Sequence, residues 1–294
     1  MPHLALAIIT HTPRHLRRTL LAASAQARTP DRIVVSCDAD HNDLLPTAAH
    51  AASDFNLHLD LLTRPHTGQS RSAQARNNAV RHLLDTGLPH DANLVFLDGD
   101  CAPAFACLQT HERLLAHAHL AVGFRIDLTP EQTDAFDEHA VLAGQPPAHI
   151  TPQQWATLRA RHRRYQLAAL ARRLGLAKPH KPKVLSANVA IRLQTFTSIN
   201  GFDEQYTNWG QEDDDLGRRA YAAGARPAVA VASAVVFHQY HTTRAAQRWH
   251  DSPGVARFNS TTPTRCTRGL SNPLEQPPIA IARLTPRSTP ATHP

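Results

Sequence analysis

Residues 93–100 read Asn-Leu-Val-Phe-Leu-Asp-Gly-Asp, an apolar run that stops on two carboxylates two positions apart. The run predicts a short buried strand over Asn93–Leu97, with Asp98 and Asp100 at its carboxyl end. Upstream, Leu4–Thr10 is an apolar strand, Arg32–Ser36 a second and His58–Leu62 a third. Between them, Arg14–Ala27 has helical spacing with Leu16, Leu20 and Leu21 on one side. Ser72–Leu84 is a second helix, with Ala75, Ala79, Leu83 and Leu84 as its buried stripe. Strand and helix alternating in this way predict a mostly parallel α/β sheet with helices on both faces. Ligands of such sheets bind beyond the carboxyl ends of the strands, so Asp38 and Asp98 are expected to face one cleft.

Downstream the character changes. Pro130, Pro146, Pro147 and Pro152 punctuate loops, and Gln153–Leu176 reads as a long helix carrying Arg159, Arg161, Arg163, Arg164, Arg172 and Arg173. Such a basic run suits a solvated face, or docking on anionic lipid or a charged acceptor. Regular structure returns at Lys183–Arg192. It continues with a Gly-Phe-Asp turn at 201–203, a helix starting at Glu212 and one strand over Ala228–Phe237. Beyond about residue 250 the chain is rich in Pro, Ser and Thr and reads as a flexible tail.

With 294 residues, 42% hydrophobic and 19% charged, the chain is globular and long enough for a core without disulfide staples. Its four cysteines, at 37, 101, 107 and 266, form no C-x-x-C pair, which fits reduced thiols. No apolar run approaches the roughly 18 residues of a membrane helix. The early LALAII is broken by Thr10, His11 and Pro13, so it reads as a strand rather than a leader, and a cytoplasmic protein is expected. The net charge of +7 points to nucleic acid, an anionic membrane surface or phosphate-bearing small molecules as partners. Among 20 histidines, a single one is a poor metal candidate without supporting neighbours.

Four constellations carry chemistry. Asp98-Gly99-Asp100 can hold a hard divalent cation, or be an ordinary Asp-Gly turn. Trp209-Gly210 leads into Glu212-Asp213-Asp214-Asp215. Four adjacent acids repel one another unless a cation, a substrate or a helix N-terminus offsets the repulsion, and crowding raises the pKa of a member that could then accept a proton. Helix capping explains one or two of them but not all four. His238 and His241 follow a predicted strand at a spacing that suits metal ligands. Finally, Thr67–Ala79 (TGQSRSAQARNNA) brings Arg71 and Arg76 to the first turns of a helix, where phosphate can bind, or where arginines simply face solvent.

Taken in order, these pieces resemble the GT-A glycosyltransferases of the family 2 type over roughly residues 4–245. The correspondence runs through Asp38, the Gly68–Asn77 helix start, Asp98–Asp100, Gly201–Glu204 and Glu212-Asp213. The stretch NGFDEQYTNWGQEDDDLGRRA also resembles the C-terminal motif of galactosyltransferases and polypeptide N-acetylgalactosaminyltransferases. The resemblance implies a single GT-A domain over 1–250, with a nucleotide-binding half at 1–124, a helical insertion at 125–183 and an acceptor-binding half at 184–250. The Pro-rich tail is 251–294. It implies an inverting transfer from a nucleotide-diphosphate sugar with Mn²⁺ or Mg²⁺. Thr10, Asp38 (with Asp40 as the alternative), Arg71, Arg76 and Asp98 would bind the donor. Asp100, Asp98, His238 and His241 would bind the metal. Trp209, Gly210 and Asp214 would line the acceptor site. Asp213 would be the base, with Glu212 next. The acceptor would be a glycan, a lipid-linked or a small molecule, with peripheral membrane contact through the 155–176 helix. Two other classes stand beside this one. A nucleotidyltransferase would need a Gly-rich, Lys-containing loop that Thr10–Arg18 lacks. A basic nucleic-acid-binding protein would have to tolerate the acidic 212–215 run against phosphate.

Overall fold

The computed structural model describes residues 2–208, 210–242, 254–260 and 263–286. In chain order, the first half contains β1 (Leu4–Thr10), α1 (Leu16–Ser24), β2 (Arg32–Cys37), α2 (Leu44–Asp54), β3 (Leu59–Thr63), α3 (Ser72–Asp85), β4 (Asn93–Asp98), β5 (Cys101–Pro103), α4 (Cys107–Leu115) and β6 (Leu120–Val122). The second half contains β7 (Phe124–Asp127), α5 (Pro130–Asp134), α6 (Glu138–Leu142), α7 (Pro152–Arg173), β8 (Asn188–Arg192), α8 (Leu193–Ser198), α9 (Glu212–Ala222), β9 (Pro227–Val229), β10 (Val235–His238), α10 (Gly254–Asn259) and β11 (Ala280–Leu284).

Eight strands form one sheet in the order β11-β3-β2-β1-β4-β8-β6-β9. The β3-β2-β1-β4 block is parallel, as the alternation of strand and helix requires, and β8 enters antiparallel to both β4 and β6. β1 and β4 are apolar over Leu4–Ile9 and Leu94–Leu97 because both of their faces are covered. One core cluster packs α1 and α2 on the sheet through Leu16, Leu20, Leu44 and Ala48. A second packs α3, α8 and α9 on the opposite face through Ala79, Leu83, Phe196 and Leu216. A separate three-stranded sheet, β5-β10-β7, sits beyond the end of β4.

Three expectations change. The single strand over Ala228–Phe237 is two strands in different sheets. β9 pairs with β6, a turn bonded from the Ser233 and Ala234 N–H groups to the Ala230 carbonyl intervenes, and β10 joins β5 and β7. Both pieces are apolar, so periodicity could not show the crossing. The 125–183 segment is not purely helical, since it begins within β7, a strand of the small sheet. The described part of the Pro-rich segment is not a loose tail either. β11 adds antiparallel to the edge of β3, and the Leu274 and Glu275 carbonyls accept from the Gln74 and Arg71 side chains at 2.9 Å each. Its order comes from partners elsewhere in the chain, which local composition does not reveal.

The start of α9 resolves the crowding of four acids by aiming them at different partners. Asp215 is fully buried and holds Arg219 Nε at 2.7 Å and Arg218 at 3.0 Å. Arg219 also donates to the Ile199 carbonyl at 2.7 Å. Removing one partner leaves the other charge buried and unpaired. Asp215→Ala should therefore lower unfolding free energy by about 3–5 kcal/mol in urea titrations. A loss under about 1 kcal/mol would contradict the pairing.

Candidate active site

β1 and β4 end side by side, and their register places Ile9 opposite Asp98. Gly99 turns directly beneath Thr10. A Cβ on Gly99 would sit 2.6 Å from Thr10 Cβ, so the residue between the two aspartates must be glycine. Thr10 itself is buried, its hydroxyl donating to the Thr12 carbonyl at 2.6 Å. At the end of β2, Asp38 is buried and accepts from the Arg71 N–H at 2.9 Å, whereas Asp40 is exposed.

Arg76 is 4% exposed, not a solvent-facing arginine. Its guanidinium donates to Asp98 Oδ1 at 2.8 Å and lies 3.8 Å from Glu212 Oε1. It therefore ties the end of β4 to the start of α9. Glu212 Oε1 also accepts from the Ser72 hydroxyl and Oε2 from the Gly210 N–H, each at 3.2 Å. The chain reaches this helix through Asn208, Gly210 and Gln211, all at positive φ (65°, 114° and 69°). Gly210 alone among them tolerates its conformation freely. Backbone geometry of this kind clusters at functional sites.

Glu212 is pushed up to about 7 by burial and by the charge of Asp213, against the pull of Arg76. Asp213 is raised as well, chiefly by burial, with Arg76 and the hydroxyl and amide of Ser186 pulling the other way. Its Oδ1 is buried and has no hydrogen-bond partner among the described residues. Asp214 turns away from this group to Lys183 Nζ, 2.8 Å from its Oδ2. Asp215 serves the core. Arg71 reaches the Glu275 carbonyl with its side chain, and only its backbone N–H meets Asp38. Trp209 lies outside the described residues.

The antiparallel β5–β10 ladder sets His238 opposite Cys101 and so carries it to Asp100. Asp100 Oδ2 is 3.1 Å from His241 Nε2 and 3.5 Å from His238 Nε2. One ligand atom from each of the three falls within 4.8 Å of the others. Burial would raise Asp100, but the two imidazoles hold it well below the usual carboxylate range. Burial would lower His238, but Asp100 and Asp127 outweigh it and raise the ring to about 9. Two imidazoles and a carboxylate suit a borderline divalent cation. A second cluster, Asp98, Asp100 and Cys101, brings Asp98 alongside, but burial pushes the Cys101 thiol far up and makes it a poor ligand.

Several residues of the site were invisible in the sequence. Ser72 and Ser186 support the two acids, and Asp127 Oδ1 lies 2.9 Å from His238 Nδ1. Arg64, just beyond β3, is 2% exposed and its three guanidinium nitrogens lack hydrogen-bond partners among the described residues. Burial lowers its pKa and the nearby Asp38 opposes that. None of these stands in a recognisable spacing, and the Arg-Pro after β3 was the only local signal.

With this geometry in place, comparisons place the fold. Residues 174–244 match a family model described as the N-terminal domain of galactosyltransferase. A crystal structure of GalNAc-T7 with UDP, GalNAc and Mn²⁺ is similar at 16% identity and TM-score 0.54, over 82% of this chain and 44% of that one. Residues 1–349 of S. aureus TarS in complex with UDP-GlcNAc are similar at 13% identity and TM-score 0.51, over 85% of this chain and 61% of that one. The chain thus spans less than two thirds of either structure. No curated protein matches the sequence. The chain has the GT-A glycosyltransferase fold.

The raised pKa of Glu212 gives a stability test. The folded state holds this proton more tightly than the unfolded chain. Wild-type stability should therefore fall as pH rises from the unfolded carboxylate value, about 4.5, towards 7. Glu212→Gln removes that dependence. Its stability relative to wild type should improve by on the order of 2 kcal/mol between about pH 5 and about pH 8 in denaturant titrations. A gap that does not change with pH would contradict the burial of this charge.

Proposed function

We propose that the chain is a metal-dependent inverting glycosyltransferase moving a sugar from a nucleotide-diphosphate donor, a UDP-sugar, to an acceptor hydroxyl. The acceptor is a glycan, a lipid-linked or a small molecule, within cell-surface glycan or glycoconjugate synthesis of the bacterial type. The observation that carries this reading is the convergence of Asp98, Asp100 and the paired imidazoles with the Glu212-Asp213 pair, joined through Arg76. UDP and Mn²⁺ in the GalNAc-T7 structure and UDP-GlcNAc in that of TarS support the donor class.

Asp38, Thr10 and the start of α3 face the nucleotide, with Arg64 as a buried donor available to an acceptor atom on it. Asp100, His238 and His241 would hold Mn²⁺ or Mg²⁺, with Asp98 adjacent, and a mixed imidazole–carboxylate set favours Mn²⁺. Such a cation, when bound, neutralises charge on the diphosphate. Asp213, with an oxygen unpartnered among the described residues and a raised pKa, takes the proton of the acceptor hydroxyl as the hydroxyl oxygen bonds to the anomeric carbon. The bond from that carbon to the diphosphate breaks, and the nucleoside diphosphate leaves with the electron pair. One displacement of this kind inverts the carbon. Gly210 and the Trp209 that precedes it complete the acceptor side. Glu212, held by Ser72, Gly210 and Arg76, orients the acceptor hydroxyl. A cytoplasmic setting belongs to the same proposal, and all four cysteines are buried thiols.

Asp213→Asn should lower turnover by about 10²–10⁴-fold while leaving UDP-sugar affinity unchanged. Unchanged turnover would remove the base assignment. Asp127 engages His238 Nδ1, which leaves Nε2 towards Asp100, where a cation would be held. Asp127→Asn should weaken Mn²⁺ binding about 10–100-fold in calorimetric titrations. An unaltered affinity would leave Asp127 without a positioning role.

A further inference from the structure

The long helix α7 is not explained by the transfer reaction. Over its 22 residues only Leu158 is buried, with Trp155 and Tyr165 packed partly against the core. Its outward side carries Leu167, Leu170 and Leu174 at helical spacing, exposed by 66%, 53% and 65%, and Leu176 follows at 77%. Four large apolar side chains in one short stretch are costly to leave in water. Arg159, Arg163, Arg164, Arg173 and Lys178 are exposed around them. Three other basic side chains have partners within the fold. Arg161 stacks on Phe124, Arg172 on Tyr221, and Lys183 pairs with Asp214. From His139 to Phe202 the sequence has no Asp or Glu at all.

Beside the carboxyl end of α7 lies a cavity of about 520 Å³ lined by Arg113, Arg173 and Arg226 with His117, over a floor including Leu114 and Pro227. None of the three arginines forms an ion pair with a carboxylate among the described residues. Arg173 belongs to both features. It lines the cavity, and it stands three residues after Leu170 and one before Leu174.

We propose that this face docks on an anionic bilayer surface, the leucines entering the headgroup boundary and the three arginines holding a lipid phosphate in the cavity. Three arginines lining one space can supply donors to a phosphate, which accepts from guanidinium groups. Exposed leucines flanked by cations are the combination that lies in a membrane interface rather than across it. No helix among the described residues is long and apolar enough to cross a membrane, so the contact is peripheral. A second copy of the chain fits poorly, because a twofold contact on this face would set Arg163 and Arg173 against arginines with no carboxylate to separate them.

The test is cosedimentation of the full chain with phosphatidylglycerol-containing vesicles and with pure phosphatidylcholine vesicles, at low and high salt. The anionic vesicles should bind at least about tenfold more tightly, and high salt should weaken that binding. Leu167→Ser/Leu170→Ser/Leu174→Ser and Arg113→Gln/Arg173→Gln/Arg226→Gln should each cut vesicle affinity by about tenfold or more with an unchanged melting temperature. Where a triple variant loses its thermal transition, Leu170→Ser or Arg226→Gln alone is read by the same direction of effect. Equal affinity for neutral vesicles, or wild-type binding by either folded variant, overturns the proposal. So does failure to bind vesicles at all, the outcome expected if an acidic protein covers this face.

Discussion

A single buried cation organises the cleft. Arg76 comes from the second turn of α3, beneath the sheet's carboxyl end, and is almost wholly removed from water. A guanidinium in that position is tolerated only when carboxylates face it. Asp98 at the end of β4 and Glu212 at the start of α9 supply them, at 2.8 Å and 3.8 Å. Elements more than a hundred residues apart are thereby held at one point. The two acids of α9 are drawn into the cleft, whereas Asp214 and Asp215 are taken by Lys183 and Arg219. Arg76 also limits how far the pKa of Glu212 climbs under burial and beside Asp213, to about 7.

The small sheet supplies the other wall. β5 follows Asp100 directly and β10 returns antiparallel to it, so the register that pairs His238 with Cys101 is what delivers the imidazole. The parallel partner β7 sets Asp127 opposite His238 from the other side. A one-residue slip in either ladder would turn His238 to the opposite face and dismantle the trio. The apolar side chains of Ile126, Val235 and Phe237, packed under α7, hold that register.

The parallel core was legible because β1 and β4 are apolar over most of their length, Ile33–Val35 is apolar within β2, and α1 and α3 have clear spacing, whereas α2 was not read from the sequence. Asp98, Asp100, Glu212 and Asp213 were legible because carboxylates at a strand end and a helix start are chemically conspicuous. What stayed hidden depends on the whole fold. The division between β9 and β10 needs two sheets to exist before it has meaning. β11 is an exposed edge strand whose order comes from β3 and from side chains of α3. The burial of Arg76 and Arg64 cannot be read from their neighbours in sequence, since an arginine early in a helix ordinarily faces water. Nor does the sequence distinguish which of four adjacent acids face the cleft. That follows from helix rotation and from the places where Lys183 and Arg219 stand.

The central claim is that the aspartates after β4, the imidazoles after β10 and the end of the sheet that we propose binds the nucleotide form one site. Calorimetric titration of UDP in the presence and absence of Mn²⁺ tests it most directly. Sharing a site makes the two ligands thermodynamically coupled, each tightening the other by the same factor, so UDP should bind at least about tenfold more tightly with Mn²⁺ present. UDP affinity that is indifferent to the metal would contradict a shared site.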